Sequence, residues 1–154
     1  MEVAYYGNKD LLQLPKTAFL SSSHISPASV LKCYDWATST RNNGKCVISG
    51  FHSKIEKDVF DFLIKGTQPI IMVLGRAMYK KLPPLYQTAI EQNRLLIVST
   101  SPNLPRTSKE SAFKRNQYIV DNANEMVFAS LHPDSSLMEL YNQQKEANKE
   151  IVLL

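Results

Sequence analysis

Short apolar runs alternate with helix-period segments from Thr17 to the end of the chain. The clearest run is Ile70–Leu74, apolar throughout and bounded by Pro69 and Gly75. A run so short, with no polar alternation, predicts a strand buried on both faces, as inside a parallel sheet. Thr17–Ser22, Cys46–Ser49, Leu95–Val98 and Met126–Ala129 predict four more strands. Ile151–Leu154 can add a final strand or simply dock.

Between the runs the period becomes helical. Ser26-Pro27 supplies an N-cap and a first-turn proline for a helix to about Asn42. Its expected buried face carries Val30, Leu31, Tyr34 and Ala37, and Asn43-Gly44 stops it. Ser53 caps a second helix over Lys54–Lys65, with Ile55, Val59, Phe62 and Leu63 turned inward. Pro83-Pro84 opens a third, through Asn93. Residues 112–124 predict a fourth, and Asp134 or Ser135 caps a last helix to about Lys149.

Residues 1–16 are mixed, and Leu11, Leu12 and Leu14 are expected to cover one edge. Ser99–Ser111, with Pro102 and Pro105, predicts a long loop, of a length that is often functional. Alternation with short connections means right-handed βαβ units. The expected fold is α/β: a Rossmann-like three-layer sandwich with a mostly parallel central sheet flanked by helices. One domain spans 1–154, with its core at about 17–140 and Ile70–Leu74 in mid-sheet.

Composition changes this picture little. An apolar fraction of 44% excludes a disordered chain. Cys33 and Cys46 fall in a helix and a strand and read as small core residues. No signal-peptide pattern opens the chain, and no apolar run approaches the roughly 18 residues of a membrane span. The expectation is a cytoplasmic protein without a membrane partner.

Charge becomes informative once it is placed on this topology. The chain has 18 basic and 14 acidic residues, only +4 overall. Ligands of open α/β sheets bind beyond the carboxyl ends of the strands. The loops there hold Lys54, Lys57, Arg76, Lys80, Lys81, Arg106, Lys109, Lys114 and Arg115 against Glu56, Glu110 and Asp134. Nine against three concentrates positive charge on one rim, where helix N-termini add free N–H groups. A phosphate-bearing ligand or polyanion fits that rim.

Individual motifs narrow the chemistry mainly by exclusion. There is no GxGxxG after the first strand and no GxxxxGK[ST]. His24, His52 and His132 lie in rim loops but lack a metal-ligand spacing, so no metal and no cofactor is expected. Asp58 and Asp61 read as a solvated helix face. Ser21–Ser23 can donate to a phosphate or cap a helix. Trp36 reads as core. Tyr79 and Phe113 sit beside basic residues, where each could stack on a base or, for Phe113, pack in the core.

The order of these features resembles the Rossmann-like domain of the DNA-processing DprA (Smf) family, within the wider SLOG group. Ser49-Gly50 followed by Ile55-Glu56 is similar to that family's strand-end SG and later Ile-Asp. Gly75, Tyr79 and Pro83-Pro84 resemble its VLG…YPP segment, and Phe113–Val120 its FxxRNRII segment. Asp134–Leu137 matches its SGSL segment loosely. Where the family has GSR after the first strand, this chain has Ser22-Ser23-His24.

The resemblance implies binding of single-stranded DNA in a basic pocket at this rim, in DNA uptake, processing or recombination. It also implies a recombinase partner and a homodimer paired through the sheet edge. Arg115 and Asn116 would contact DNA or brace the pocket, with Lys114 adding charge. The candidate nucleic-acid or phosphate ligands are Ser22, Ser23, His24, Gly50, Lys54, Gly75, Arg76, Lys80, Lys81, Lys114, Arg115 and Asn116. No catalytic residue is assigned. The alternative is a sensor of a small nucleotide-derived ligand, as for other SLOG-like domains. A LOG-type nucleotide hydrolase is disfavoured, because its PGGxGTxxE segment has no counterpart in this chain.

Overall fold

The computed structural model describes residues 2–154 and is built on one seven-stranded sheet. In chain order, the strands are β1 (Ala4–Gly7), β2 (Lys16–Ser21), β3 (Cys46–Ser49), β4 (Ile70–Leu74), β5 (Leu95–Ser99), β6 (Glu125–Ala129) and β7 (Glu150–Leu153). The helices are α1 (Pro27–Asn43), α2 (Lys54–Ile64), α3 (Pro84–Glu91), α4 (Lys109–Asp121) and α5 (Ser136–Glu146), with a 3-10 turn at Lys9–Gln13. The spatial strand order is β1-β5-β4-β3-β2-β6-β7. Only β1 runs antiparallel to its neighbour.

Every residue of β2, β3, β4 and β5 is buried, because helices cover both faces. Strand side chains alternate between two cores. Ile70, Met72 and Leu74 pack with α1, α2 and α3, while Ile71 and Val73 pack with α4 and α5. The chain steps outward from β2 to β5, then crosses through α4 to β6 on the far side of β2. That reversal makes the β2–β6 boundary a topological switch point.

Several expectations need correction. The central strand is β3; β4 is its neighbour. The mixed N-terminal segment contains a strand, β1, whose Tyr5 and Tyr6 are exposed. It turns at Gly7, whose φ of +114° and contact with the Leu95 carbonyl leave no room for a side chain. Leu11 is buried and Leu12 packs beside it, but Leu14 is exposed. On α1 the seam is Cys33, Ala37 and Thr40; Leu31 lies about 200° around the helix from Cys33 and faces solvent. The long loop is shorter than expected, because a reciprocal cap between Ser108 and Ser111 starts α4 at Lys109. Ile151–Leu154 does add a strand, β7, parallel to β6. Cys33 and Cys46 are buried free thiols.

Candidate nucleic-acid interface

The carboxyl ends of β3 and β4 open into a cavity of about 420 Å³. Ser49 ends β3 and Gly50 follows it. The next residue, Phe51, has a φ of +46°, a left-handed conformation that a bulky side chain rarely adopts. Two contacts hold it there. Its N–H donates to Ser49 Oγ at 3.2 Å, and its ring packs edge-on against Phe60 at 4.9 Å. Strain of this kind collects at ligand sites.

Glu56 fixes the same turn from below. It is buried, and its carboxylate accepts backbone N–H groups from Ser21 at 3.0 Å, His52 at 2.9 Å and Ser53 at 3.3 Å. Ser53 and Glu56 thereby form the reciprocal cap of α2, and the end of β2 is tied to it. The family-like acidic position is thus occupied as a structural strut.

Arg115 reaches the cavity from α4. It is only 6% exposed, and its chain lies against Gly50; a Cβ on that glycine would stand 2.8 Å from Arg115 Nε. Nε donates to Asn116 Oδ1 at 3.2 Å. The two terminal amino groups have no hydrogen-bond partner among the described residues, and no carboxylate forms an ion pair with Arg115 there. Burial draws its pKa below the ordinary value, and the Glu56 carboxylate pulls the other way. Among the described residues the only buried side-chain polar atoms without a partner are those of Gln68, so the terminal amino groups of Arg115 keep access to the cavity, where an anion can take charge-assisted hydrogen bonds.

One wall of the cavity is aromatic. Phe60, Tyr86 and Tyr79 form a chain of contacts with centroid separations of 5.0 and 5.7 Å, and Arg76 lies 4.8 Å over the Tyr79 ring. Burial, and then Tyr79, push the Tyr86 phenol up to about 12. The titratable groups His52, Lys57 and Asp61 also line the cavity. Burial and the Arg115 charge hold the His52 imidazole below its ordinary value near 6.5, although the residue as a whole is exposed.

Of the sequence candidates, Gly50, Gly75, Arg76 and Arg115 converge on this cavity. Gly75 packs against Thr107 and the Ser111 carbonyl, where a Cβ would be crowded. Ser23, His24 and Lys54 line a separate hollow of about 430 Å³ between the β2–α1 loop and α2. There Lys54 Nζ is paired with Asp58 at 2.6 Å. Ser22 Oγ lies 2.8 Å from the Ser130 carbonyl and 2.9 Å from that of His24, joining the β2 and β6 loops at the switch point. Lys80 and Lys81 are exposed on the loop before α3, and Lys114 and Asn116 are half-buried on α4; none of the four lines the cavity.

Phe113 packs in the core shared with α5, not at the rim. Phe51, Phe60 and Tyr86 were absent from the candidate set. Their signal was present: aromatic residues clustered in the two segments that follow β3 and β4. Among the described residues, no group of three His, Cys, Asp or Glu side chains could hold a metal ion.

A mostly parallel α/β sheet with helices on both faces and a cavity at its carboxyl rim defines a Rossmann-like fold. The family model for DNA recombination-mediator protein A matches residues 2–154, and the chain belongs to that family. The DNA processing protein A of Streptococcus pneumoniae has the same fold, with a TM-score of 0.79 at 19% identity over 98% of this chain and 54% of that one. The Helicobacter pylori protein, whose structure describes a single-stranded DNA binding mode, gives 0.77 at 17% identity, over 98% of this chain and 70% of that one. The molybdenum cofactor binding protein of Rippkaea orientalis shares the fold more distantly: 0.63 at 10% identity, over 90% of this chain and 75% of its own. This chain therefore spans about half the length of the Streptococcus pneumoniae protein. The comparison with curated proteins finds no match.

Proposed function

We propose that this chain binds single-stranded DNA at the carboxyl rim of its sheet, in DNA processing or recombination, with the Arg115 cavity as the principal site. The observation that carries this is a largely buried arginine, seated on Gly50, whose terminal amino groups open to the cavity without a partner among the described residues. The aromatic wall supports stacking of a base beside the phosphate. Family membership and the Helicobacter pylori relative support single-stranded DNA over a small nucleotide.

Binding rather than catalysis is supported by Glu56, whose carboxylate is already engaged by three backbone N–H groups. The outer cations Lys80, Lys81 and Lys114 extend the positive field beyond the cavity. A homodimer through the open edge of β7, where Val152 and Leu153 are exposed, and a recombinase partner complete the reading. No helix among the described residues is long and apolar enough to cross a membrane.

The test is a fluorescence-anisotropy titration with a labelled oligonucleotide at several salt concentrations. Affinity is expected to fall with salt, with a slope of roughly −0.7 per phosphate contact. Binding that is absent at low salt, or indifferent to salt, would overturn the proposal. Incubation with nucleoside monophosphates is expected to release no free base.

A further inference from the structure

The cavity and the rest of the rim differ in kind. Lys54, which could continue a basic track toward β2, is already paired with Asp58, and Ser23 and His24 share its separate hollow. Lys80, Lys81 and Lys114 do not line the cavity. Arg115, Arg76 and Lys57, none in an ion pair among the described residues, instead share with the acid Asp61 the lining of a walled pocket. Loops carrying Phe51 and His52, Arg76 and Tyr79, and Thr107 enclose it. Its volume, about 420 Å³, lies near the low end of ligand pockets, which run from roughly 300 to 1,000 Å³. That suits one nucleotide better than a length of strand.

Strand chemistry sharpens the point. An internal phosphodiester carries one charge, has two free oxygens, and leaves with chain on both sides. It can lie across an open groove but is poorly shaped to enter a walled pocket that Arg115 lines. A terminal phosphomonoester leaves chain on one side only. It presents three acceptor oxygens and about −1.5 to −2 charge at neutral pH. A guanidinium fork takes two such oxygens side by side. His52 and Lys57 lie on the same cavity lining and can meet the third.

We infer that the Arg115 cavity receives the phosphorylated terminal nucleotide of a single strand, with the phosphate on the Arg115 fork and the base against Tyr79 and Tyr86. This rests on the single-stranded DNA reading above and makes the site a reader of strand ends.

The test uses the full chain and one DNA sequence, labelled on an internal base, in four forms: five-prime phosphate, three-prime phosphate, both ends hydroxyl, and covalently circular. One phosphorylated end is expected to bind tighter than the hydroxyl-ended and circular forms by roughly tenfold or more, as a charge-assisted fork implies. Equal, measurable affinity for all four would overturn the end-reading inference while leaving single-stranded DNA binding intact. Binding of none would overturn both. Arg115→Lys keeps the charge but removes the fork, and Lys57→Ala changes an exposed side chain that folding does not need. Both are expected to narrow the preference, with thermal melting confirming the fold; a preference undiminished in both would place the phosphate elsewhere and overturn the assignment.

Discussion

Gly50 and Arg115 are complementary: the glycine leaves the space the guanidinium occupies, and a Cβ there would stand 2.8 Å from Nε and 3.1 Å from Cζ. The strand-end glycine of β3 thus sets the position of a cation delivered by α4.

Gly50→Ala tests this relationship. Arg115 must shift, at an overpacking cost of about 1–3 kcal/mol in stability. Oligonucleotide affinity is expected to fall as well. Urea unfolding gives the first quantity and anisotropy the second. Unchanged affinity would mean that the seat on Gly50 does not position the ligand-binding group.

The aromatic wall makes a separate prediction. Tyr79→Ala is expected to cost about 1–3 kcal/mol of oligonucleotide binding, the usual range for one stacked base. Tyr79→Phe keeps the ring and should retain most of the affinity. Titrations at one fixed salt concentration compare the two, and equal losses would point to the hydroxyl instead of the ring face.

His52 predicts a pH dependence with opposite signs for folding and binding. Its folded pKa lies below the ordinary 6.5, so the unfolded chain takes up a proton first as pH falls. The stability it contributes is complete above about pH 6.5 and is lost as pH drops through the folded pKa. A phosphate in the cavity favours the protonated ring, so affinity is expected to rise over the same range. His52→Asn should flatten both profiles, read by thermal melting and by titration across the range.

Glu56→Ala leaves the N–H groups of Ser21, His52 and Ser53 without their acceptor. The expected loss is about 1–3 kcal/mol, chiefly from the buried Ser21 donor, since the other two are only partly buried. Glu56→Gln retains an amide oxygen and should cost less. Denaturant midpoints at an unchanged slope would measure both. If Glu56→Ala were as stable as the parent, the carboxylate would not be the strut that holds the β3–α2 turn.

The parallel strands were legible because burial on both faces writes an unbroken apolar run, as in Ile70–Leu74. Helix starts at Ser26 and Ser53 were legible because caps act within four residues. β1 was not: exposed on an edge and only four residues long, Ala4–Gly7 carries neither an apolar run nor a clean alternation. Leu31 reads as inward because it falls at helical spacing with Tyr34. Its true facing depends on how α1 is rotated against α2 and the sheet.

Local physics therefore determined the strands and the capped helices. The tertiary structure alone decided which basic residues share a site. Lys54 and Arg115 are alike as rim cations in the sequence, yet one is paired with Asp58 at the surface and the other is buried against Gly50 without an acid partner. The difference arises from the crossover that brings α4 back under β3 and from the rotation of each helix. Those are long-range packing outcomes, and no local pattern around a lysine or an arginine encodes them.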